Sequence, residues 1–213
     1  MDDDIPQRPA VINPRVAEDF VAMYAATPPW DIGRPQPAFL PLAASGQIRG
    51  RVLDAGCGTG EHALMAAAAG LEAVGIDPAI PAIEKAKAKA VTRGLQDRVR
   101  FLVGDALDRT TMGALGTFDT VIDSGVFHVF DDEARAHYVD SLAAVTGPGG
   151  QVFVLVFSDK IPDGWGPRRV TEAELRSSFG ADRWRVDSIV ESRLILTFMP
   201  DGVDAWLASI TGL

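Results

Sequence analysis

The sequence predicts an α/β protein: a doubly wound, mostly parallel sheet of seven strands, with an antiparallel C-terminal edge hairpin and an N-terminal helix ahead of it. Three observations carry that expectation. Strand-like and helix-like segments alternate from residue 51 to residue 157, as parallel strands joined by crossover helices require. A glycine-rich turn directly follows the first apolar strand. Finally, Val152-Phe153-Val154-Leu155-Val156-Phe157 is an unbroken apolar run, the mark of a strand buried on both faces.

The elements follow in order. Residues 1–14, with Asp2-Asp3-Asp4 and several prolines, read as a flexible tail ahead of a single domain over residues 15–213. Val16, Phe20, Val21 and Tyr24 recur at helical spacing, predicting a helix over 15–24. It ends at Thr27-Pro28-Pro29, because a residue before proline is pushed out of the helical region. Strands are predicted at 51–55, 73–77, 99–104 and 118–123, with helices at 61–69, 80–93 and 132–146. Gly147-Pro148-Gly149-Gly150 stops the last of these. Past residue 157 the pattern changes. Residues 171–179 read as a helix with Thr171 or a neighbour as its cap and Glu174 placed for a capping box. Residues 184–199 alternate loosely enough to supply both strands of the hairpin, and 203–210 read as a short closing helix.

Composition narrows the function. Of 213 residues, 47% are hydrophobic and 23% charged, the balance of a globular chain. A net charge of −9 repels phosphate backbones, which disfavours a nucleic-acid partner; Arg168-Arg169, the one compact basic pair, reads as a solvated loop. The single cysteine, Cys57, excludes an internal disulfide and any multi-cysteine metal site, and it fits a reducing compartment. The acidic start is no secretory leader and no stretch is apolar for long enough to span a bilayer, so the expectation is a cytoplasmic protein with no membrane partner. His62, His128 and His137 are too dispersed for a metal site. Nothing in the sequence specifies an oligomeric state.

The informative segment is Val52-Leu53-Asp54-Ala55-Gly56-Cys57-Gly58-Thr59-Gly60. Its glycines allow a tight turn and close approach of a ligand to bare backbone, and the helix that follows offers free N–H groups. Gly58-Thr59-Gly60-Glu61-His62-Ala63 also satisfies the looser dinucleotide pattern, which keeps a nicotinamide oxidoreductase in view. Three acids at successive strand ends separate the readings. Asp54 precedes the glycines, Asp77 ends the second strand where ribose hydroxyls bind, and Asp105 ends the third, in Gly104-Asp105-Ala106-Leu107. Such a set fits an adenosine with a cationic amino-acid tail; the plainer role for Asp77 and Asp105 is capping of the next helix.

Residues 54–60 resemble the D-x-G-x-G-x-G signature of class I S-adenosylmethionine-dependent methyltransferases, whose sheet is Rossmann-like. The resemblance implies that Asp54 and the backbone of Ala55, Gly56, Cys57, Gly58 and Gly60 hold the methionine part of S-adenosylmethionine. It implies further that Asp77 and Pro78 hold the ribose, and that Gly104, Asp105, Ala106 and Leu107 hold the adenine, S-adenosylhomocysteine being the product. Residues 15–48 then form the lid, 49–157 the cofactor-binding core, and 158–213 the substrate loop and sheet edge. Trp30-Asp31-Ile32-Gly33-Arg34 resembles the W-D-x-G-R segment of the thiopurine, halide/thiol and heterocyclic-toxin (tellurite-resistance-like) group. That adds Trp30, beside the sulfonium, and Arg34 to the cofactor set, an aromatic face being attractive to a cation. The plainer role for Trp30 is to anchor the N-terminal segment by packing.

Methyl transfer is an in-line displacement in which the protein supplies position and excludes water. The fourth strand ends in Asp123-Ser124-Gly125-Val126-Phe127-His128, where this family faces the transferred methyl. Asp123 and Ser124 join the cofactor set, and His128 is the candidate general base, since imidazole titrates near neutrality; the plainer role is loop packing. This strand end departs from the N/D-P-P-Y/F pattern of exocyclic-amine methyltransferases, which disfavours nucleic-acid amines. Phe20, Tyr24, Phe127, His128 and Trp165 are expected at the substrate. The predicted acceptor is therefore a hydroxyl, thiol or ring nitrogen of an aromatic or heterocyclic small molecule, in detoxification or secondary metabolism. Halide/thiol transfer and a non-catalytic cofactor-binding module are the alternatives.

Overall fold

A computed structural model describes residues 17–162 and 167–213. The tail over 1–14, the first two residues of the expected opening helix and Trp165 lie outside the described residues. The elements are α1 (Ala17–Met23), a 3-10 turn (Pro37–Phe39), α2 (Leu40–Ala44), β1 (Arg51–Ala55), α3 (Glu61–Ala68), β2 (Glu72–Asp77), α4 (Ile80–Thr92), β3 (Val99–Val103), α5 (Arg109–Ala114) and β4 (Phe118–Ser124). A second 3-10 turn (Phe127–Val129), α6 (Asp132–Val145), β5 (Thr146–Phe157), α7 (Glu172–Ser178), β6 (Trp184–Leu196) and β7 (Met199–Gly212) complete them.

Seven strands form one sheet in the order β3-β2-β1-β4-β5-β7-β6. The β1–β5 pairings are parallel, while β7 runs antiparallel to both of its neighbours, β5 and β6. Strand order reverses between β1 and β4, and the carboxyl ends of those two strands flank the crevice where a sheet of this kind binds ligands.

Alternation along the strands divides the core. Phe153, Leu155 and Phe157 of β5 face one layer with Leu64, Ile83 and Phe101, and Val152, Val154 and Val156 face the other with Tyr138 and Leu142. All six β5 residues are buried, so the apolar run has the two-sided burial its composition predicts. The capping box forms as expected: Glu174 N–H donates to Thr171 Oγ1 at 3.1 Å, and Thr171 N–H donates to Glu174 Oε2 at 2.8 Å.

The C-terminal elements correct the sequence reading. Residues 203–210 are strand, not helix, because β7 is inserted between β5 and β6 and its backbone pairs on both sides. Val203, Ala205 and Leu207 fill one core layer while Trp206, Ala208 and Ile210 fill the other, and this two-sided burial overrides the local helix preference of Leu and Ala. The hairpin is therefore β6 with β7, turning at Thr197 and Phe198, and residues 184–196 are one strand rather than two. Strand β5 starts at Thr146 and takes in the glycine-proline stretch through a register shift against β4. α5, a short helix with two threonines and a glycine, lies outside the elements predicted from the sequence; Asp108 caps it through Thr110 N–H at 2.9 Å. No helix among the described residues is long and apolar enough to cross a membrane.

Candidate active site

The glycine loop leaves β1 and turns under a network of backbone bonds. Cys57 N–H donates to Ile76 O at 2.9 Å, and Gly60 N–H to Cys57 O at 2.8 Å. Gly58 and Gly60 are among the loop positions that require glycine for two reasons at once. Gly58 has φ +52, and a Cβ there would stand 2.6 Å from Tyr24 Oη; Gly60 has φ +87, and a Cβ would stand 2.5 Å from the Phe101 ring. The loop is thus bare because both the turn and the close packing forbid a side chain.

Asp77, at the end of β2, fixes this loop: its Oδ2 accepts from Gly58 N–H at 2.9 Å and its Oδ1 from Ala79 N–H at 2.8 Å. Burial pushes its carboxyl above the usual range, and the two amide bonds oppose that. Each oxygen keeps a lone pair for a ligand hydroxyl. Asp105, after β3, is exposed at the rim, its Oδ1 accepting from Leu107 N–H at 2.9 Å.

A cavity of about 390 Å³ lies over the carboxyl ends of β1, β2 and β4. One end is lined by Gly56, Cys57, Gly58, Thr59, Asp77, Pro78, Asp105, Ala106, Leu107 and Ser124, the polar end that an adenosine-like ligand would fit. Phe20, Met23, Tyr24, Trp30, Val129, Phe130, Phe157, Leu194 and Phe198 wall the rest, with Arg34 and His128. Trp30 Nε1–H donates to Tyr24 Oη at 3.0 Å, and both Phe20 and Tyr24 meet the indole edge-on at 6.1 and 6.3 Å between centroids.

Several expected site residues lie behind this wall, for identifiable reasons. Asp54 turns beneath the loop, where its Oδ2 accepts from Ala63 N–H at 3.0 Å and ties down the start of α3. Burial lifts its carboxyl to about 7 against that bond, with Asp77, Asp123 and Glu61 adding to the rise. Ala55 is fully buried in the core, Gly60 faces Phe101, and Gly104 packs against Ile76. Asp123 accepts from Val126 N–H at 2.8 Å, Phe127 N–H at 3.0 Å and Tyr138 O–H at 2.9 Å, so it builds the turn after β4; burial raises it to about 7 despite these bonds. Phe127 is core, stacked on Phe179 at 5.8 Å with the Arg135 guanidinium 4.4 Å from its ring.

His128 lines the cavity, but its geometry opposes the expected base role. Phe157 N–H donates to its Nδ1 at 3.0 Å, and burial, with Arg135 adding to it, lowers the imidazole to about 3. His62 also lines the cavity; its Nε2 accepts from Gln36 N–H at 3.1 Å, and burial lowers it to about 4. His137 lies exposed on α6. Among the described residues, no three His, Cys, Asp or Glu side chains group to hold a metal ion.

Two groups are not legible from the sequence because their partners are remote along the chain. Gln36 is buried and bonds both backbone groups of Ile195 on β6, donating to its carbonyl at 2.9 Å and accepting its N–H at 2.8 Å. Lys89 on α4 donates to Thr59 Oγ1 and Glu61 Oε1, both at 2.7 Å, while Thr59 O–H donates to Asp31 Oδ1 at 3.0 Å. The first strap holds the N-terminal segment to the sheet edge; the second holds it to the glycine loop.

Known proteins resemble the chain over most of its length. The methyltransferase domain family matches residues 52–150. The chain is 45% identical over 172 residues to a 2-heptyl-1-hydroxyquinolin-4(1H)-one methyltransferase of Mycobacteroides abscessus, covering 80% of this chain and 74% of that protein. It is 30% identical to a thiocyanate methyltransferase of Brassica oleracea, over 67% of this chain and 62% of that one. A solved structure concerned with the conversion of a disulfide bond into a thioacetal group during echinomycin biosynthesis superposes with a TM-score of 0.81 and 37% identity, over 92% of this chain and 93% of that one.

Proposed function

The chain belongs to the class I S-adenosylmethionine-dependent small-molecule methyltransferases, and from that membership we propose that it methylates an ionisable hydroxyl on a planar heteroaromatic compound. The observation that carries this is the apolar end of the cavity. Phe20, Met23, Trp30, Phe130 and Phe198 give a broad aromatic and aliphatic wall, with the His128 ring set into the same cavity. Such a wall gains from burying a flat ring system, at about 25 cal/mol per Å² of apolar surface, and a small inorganic anion would leave most of it uncovered. The hydroxyquinolone specificity of the 45%-identical relative supports the same class.

The cofactor supplies an electrophilic methyl group on its sulfonium and leaves as S-adenosylhomocysteine. In our assignment, the backbone at residues 56–59 receives the amino-acid end, Asp77 the ribose hydroxyls, and Asp105 with Ala106 and Leu107 the adenine. Trp30 presents its ring to the cationic sulfur, and the straps through Gln36, Asp31 and Thr59 hold residues 29–37 over the site as a cover that excludes water.

The test is turnover with labelled cofactor and a panel containing 2-heptyl-1-hydroxyquinolin-4(1H)-one, hydroxylated heterocycles, thiophenol and thiocyanate, read by mass spectrometry. O-Methylation of the heterocycles is expected. Methylation confined to thiophenol or thiocyanate would overturn the acceptor assignment.

A further inference from the structure

Resting on that acceptor class, we infer that His128 is a neutral hydrogen-bond donor, locked in one tautomer, which selects acceptors already ionised at oxygen and does not itself remove their proton.

The backbone N–H of Phe157 points at Nδ1 at 3.0 Å. A backbone amide can only donate there, so Nδ1 carries the lone pair and the hydrogen of the neutral ring sits on Nε2. A general base needs a free lone pair facing its substrate, and the lone pair of this ring is already engaged. Nε2 lies beside Gly125, which has φ +86 and no side chain; a Cβ there would stand 3.3 Å from Nε2. Gly125 and His128 both line the cavity, and Nε2 has no protein partner among the described residues. The glycine therefore leaves open the side of the ring that carries the donor.

The surrounding charges keep the ring neutral. Burial, with Arg135 on α6 adding to it, opposes protonation and lowers the imidazole to about 3. Of the nearby carboxylates, Asp123 is engaged by the turn amides and Tyr138, and Asp131 accepts from Ala134 N–H at 3.0 Å. Strands β5 and β6 contribute Phe157 and Leu194, neither of them titratable. A fixed N–H donor binds an oxyanion more strongly than a neutral hydroxyl, so it favours the ionised form of the bound acceptor and orients a remaining lone pair. The proton has left to solvent beforehand. The acceptor oxygen then bonds the methyl carbon as the carbon–sulfur bond breaks with its electron pair going to sulfur, and Nε2–H keeps its hydrogen throughout.

Two substitutions separate the functions of the ring. His128→Asn places an amide oxygen near the Nδ1 position, keeping the Phe157 bond but losing the reach of Nε2; His128→Gln extends an amide N–H toward the Nε2 position. We expect His128→Gln to keep kcat/KM for the hydroxyquinolone within about fivefold and His128→Asn to lower it about 10–100-fold. The pH profile of the wild type should break at a value that moves with the acidity of each acceptor. Imidazole nitrogen NMR should place the hydrogen on Nε2, with no titration between about pH 5 and 9. In the complex with S-adenosylhomocysteine, the hydroxyquinolone should absorb as its anion. Loss of activity in both variants with a break common to all acceptors would restore the base, and retention in His128→Asn with loss in His128→Gln would reduce His128 to a structural role; either overturns the inference. Should the variants fail to fold, the wild-type NMR and pH profile decide. A protein that binds S-adenosylhomocysteine but methylates only thiols removes the acceptor class itself, a result distinct from loss of the Gln/Asn contrast alone.

Discussion

Asp54 and Asp77 show how one residue type takes two roles at neighbouring strand ends. Both are buried, but Asp77 faces the cavity and Asp54 the start of α3. Asp77→Ala should weaken binding of S-adenosylhomocysteine by about 1.5–3 kcal/mol, measurable by calorimetry, because it removes a charged acceptor and frees the Gly58 amide. Asp54→Asn should act on stability instead. Its folded-state pKa of about 7 lies above the ordinary value of 3.8, so its contribution is fully present below pH 3.8 and is lost as pH rises toward 7. The stability gap between wild type and Asp54→Asn should therefore shift against the wild type between pH 4 and 7 in denaturant titrations; a gap independent of pH would contradict the shift.

At the scale of elements, turns and caps set what can be changed. Gly60 and Gly94 both have positive φ, +87 and +66, but only Gly60 meets a neighbour where a Cβ would be. Gly94→Ala should cost about 1–2 kcal/mol for the left-handed backbone alone, whereas Gly60→Ala adds overpacking against Phe101 and should cost about 2–5 kcal/mol by chemical denaturation. The α7 cap should be sensitive to acid. Burial pushes Glu174 upward, but the Thr171 amide, the Arg168 guanidinium and the Thr171 hydroxyl together bring it down to about 2. Its contribution is present above the ordinary value of 4.5 and is lost as pH falls toward 2, so Glu174→Gln should lower the melting temperature at pH 7 and leave it nearly unchanged near pH 2.

At the scale of the whole molecule, the N-terminal segment is strapped to the sheet edge. Thr197 N–H donates to Pro29 O at 2.8 Å, and Gln36 spans both backbone groups of Ile195. Gln36→Ala would leave a buried amide and carbonyl without partners, at about 1–3 kcal/mol each. Faster hydrogen exchange at Ile195 and Thr197, with weaker cofactor binding and unchanged exchange in β1, is the expected outcome. Uniformly faster exchange would mean that the strap supports the sheet and not the cover alone.

The sequence by itself determined the sheet through β5, the position of the glycine loop and the cofactor class, because these depend on local signals. Apolar period, glycine placement and an acid at each strand end all act within a few residues. It did not determine that residues 203–210 form a strand between two others, that Asp54, Asp123 and Phe127 turn away from the cavity, or that a backbone amide at Phe157 fixes the His128 tautomer. Each of those depends on a partner distant in the chain. Burial and hydrogen bonding across such distances outweigh local preference, and only the folded chain brings the partners together.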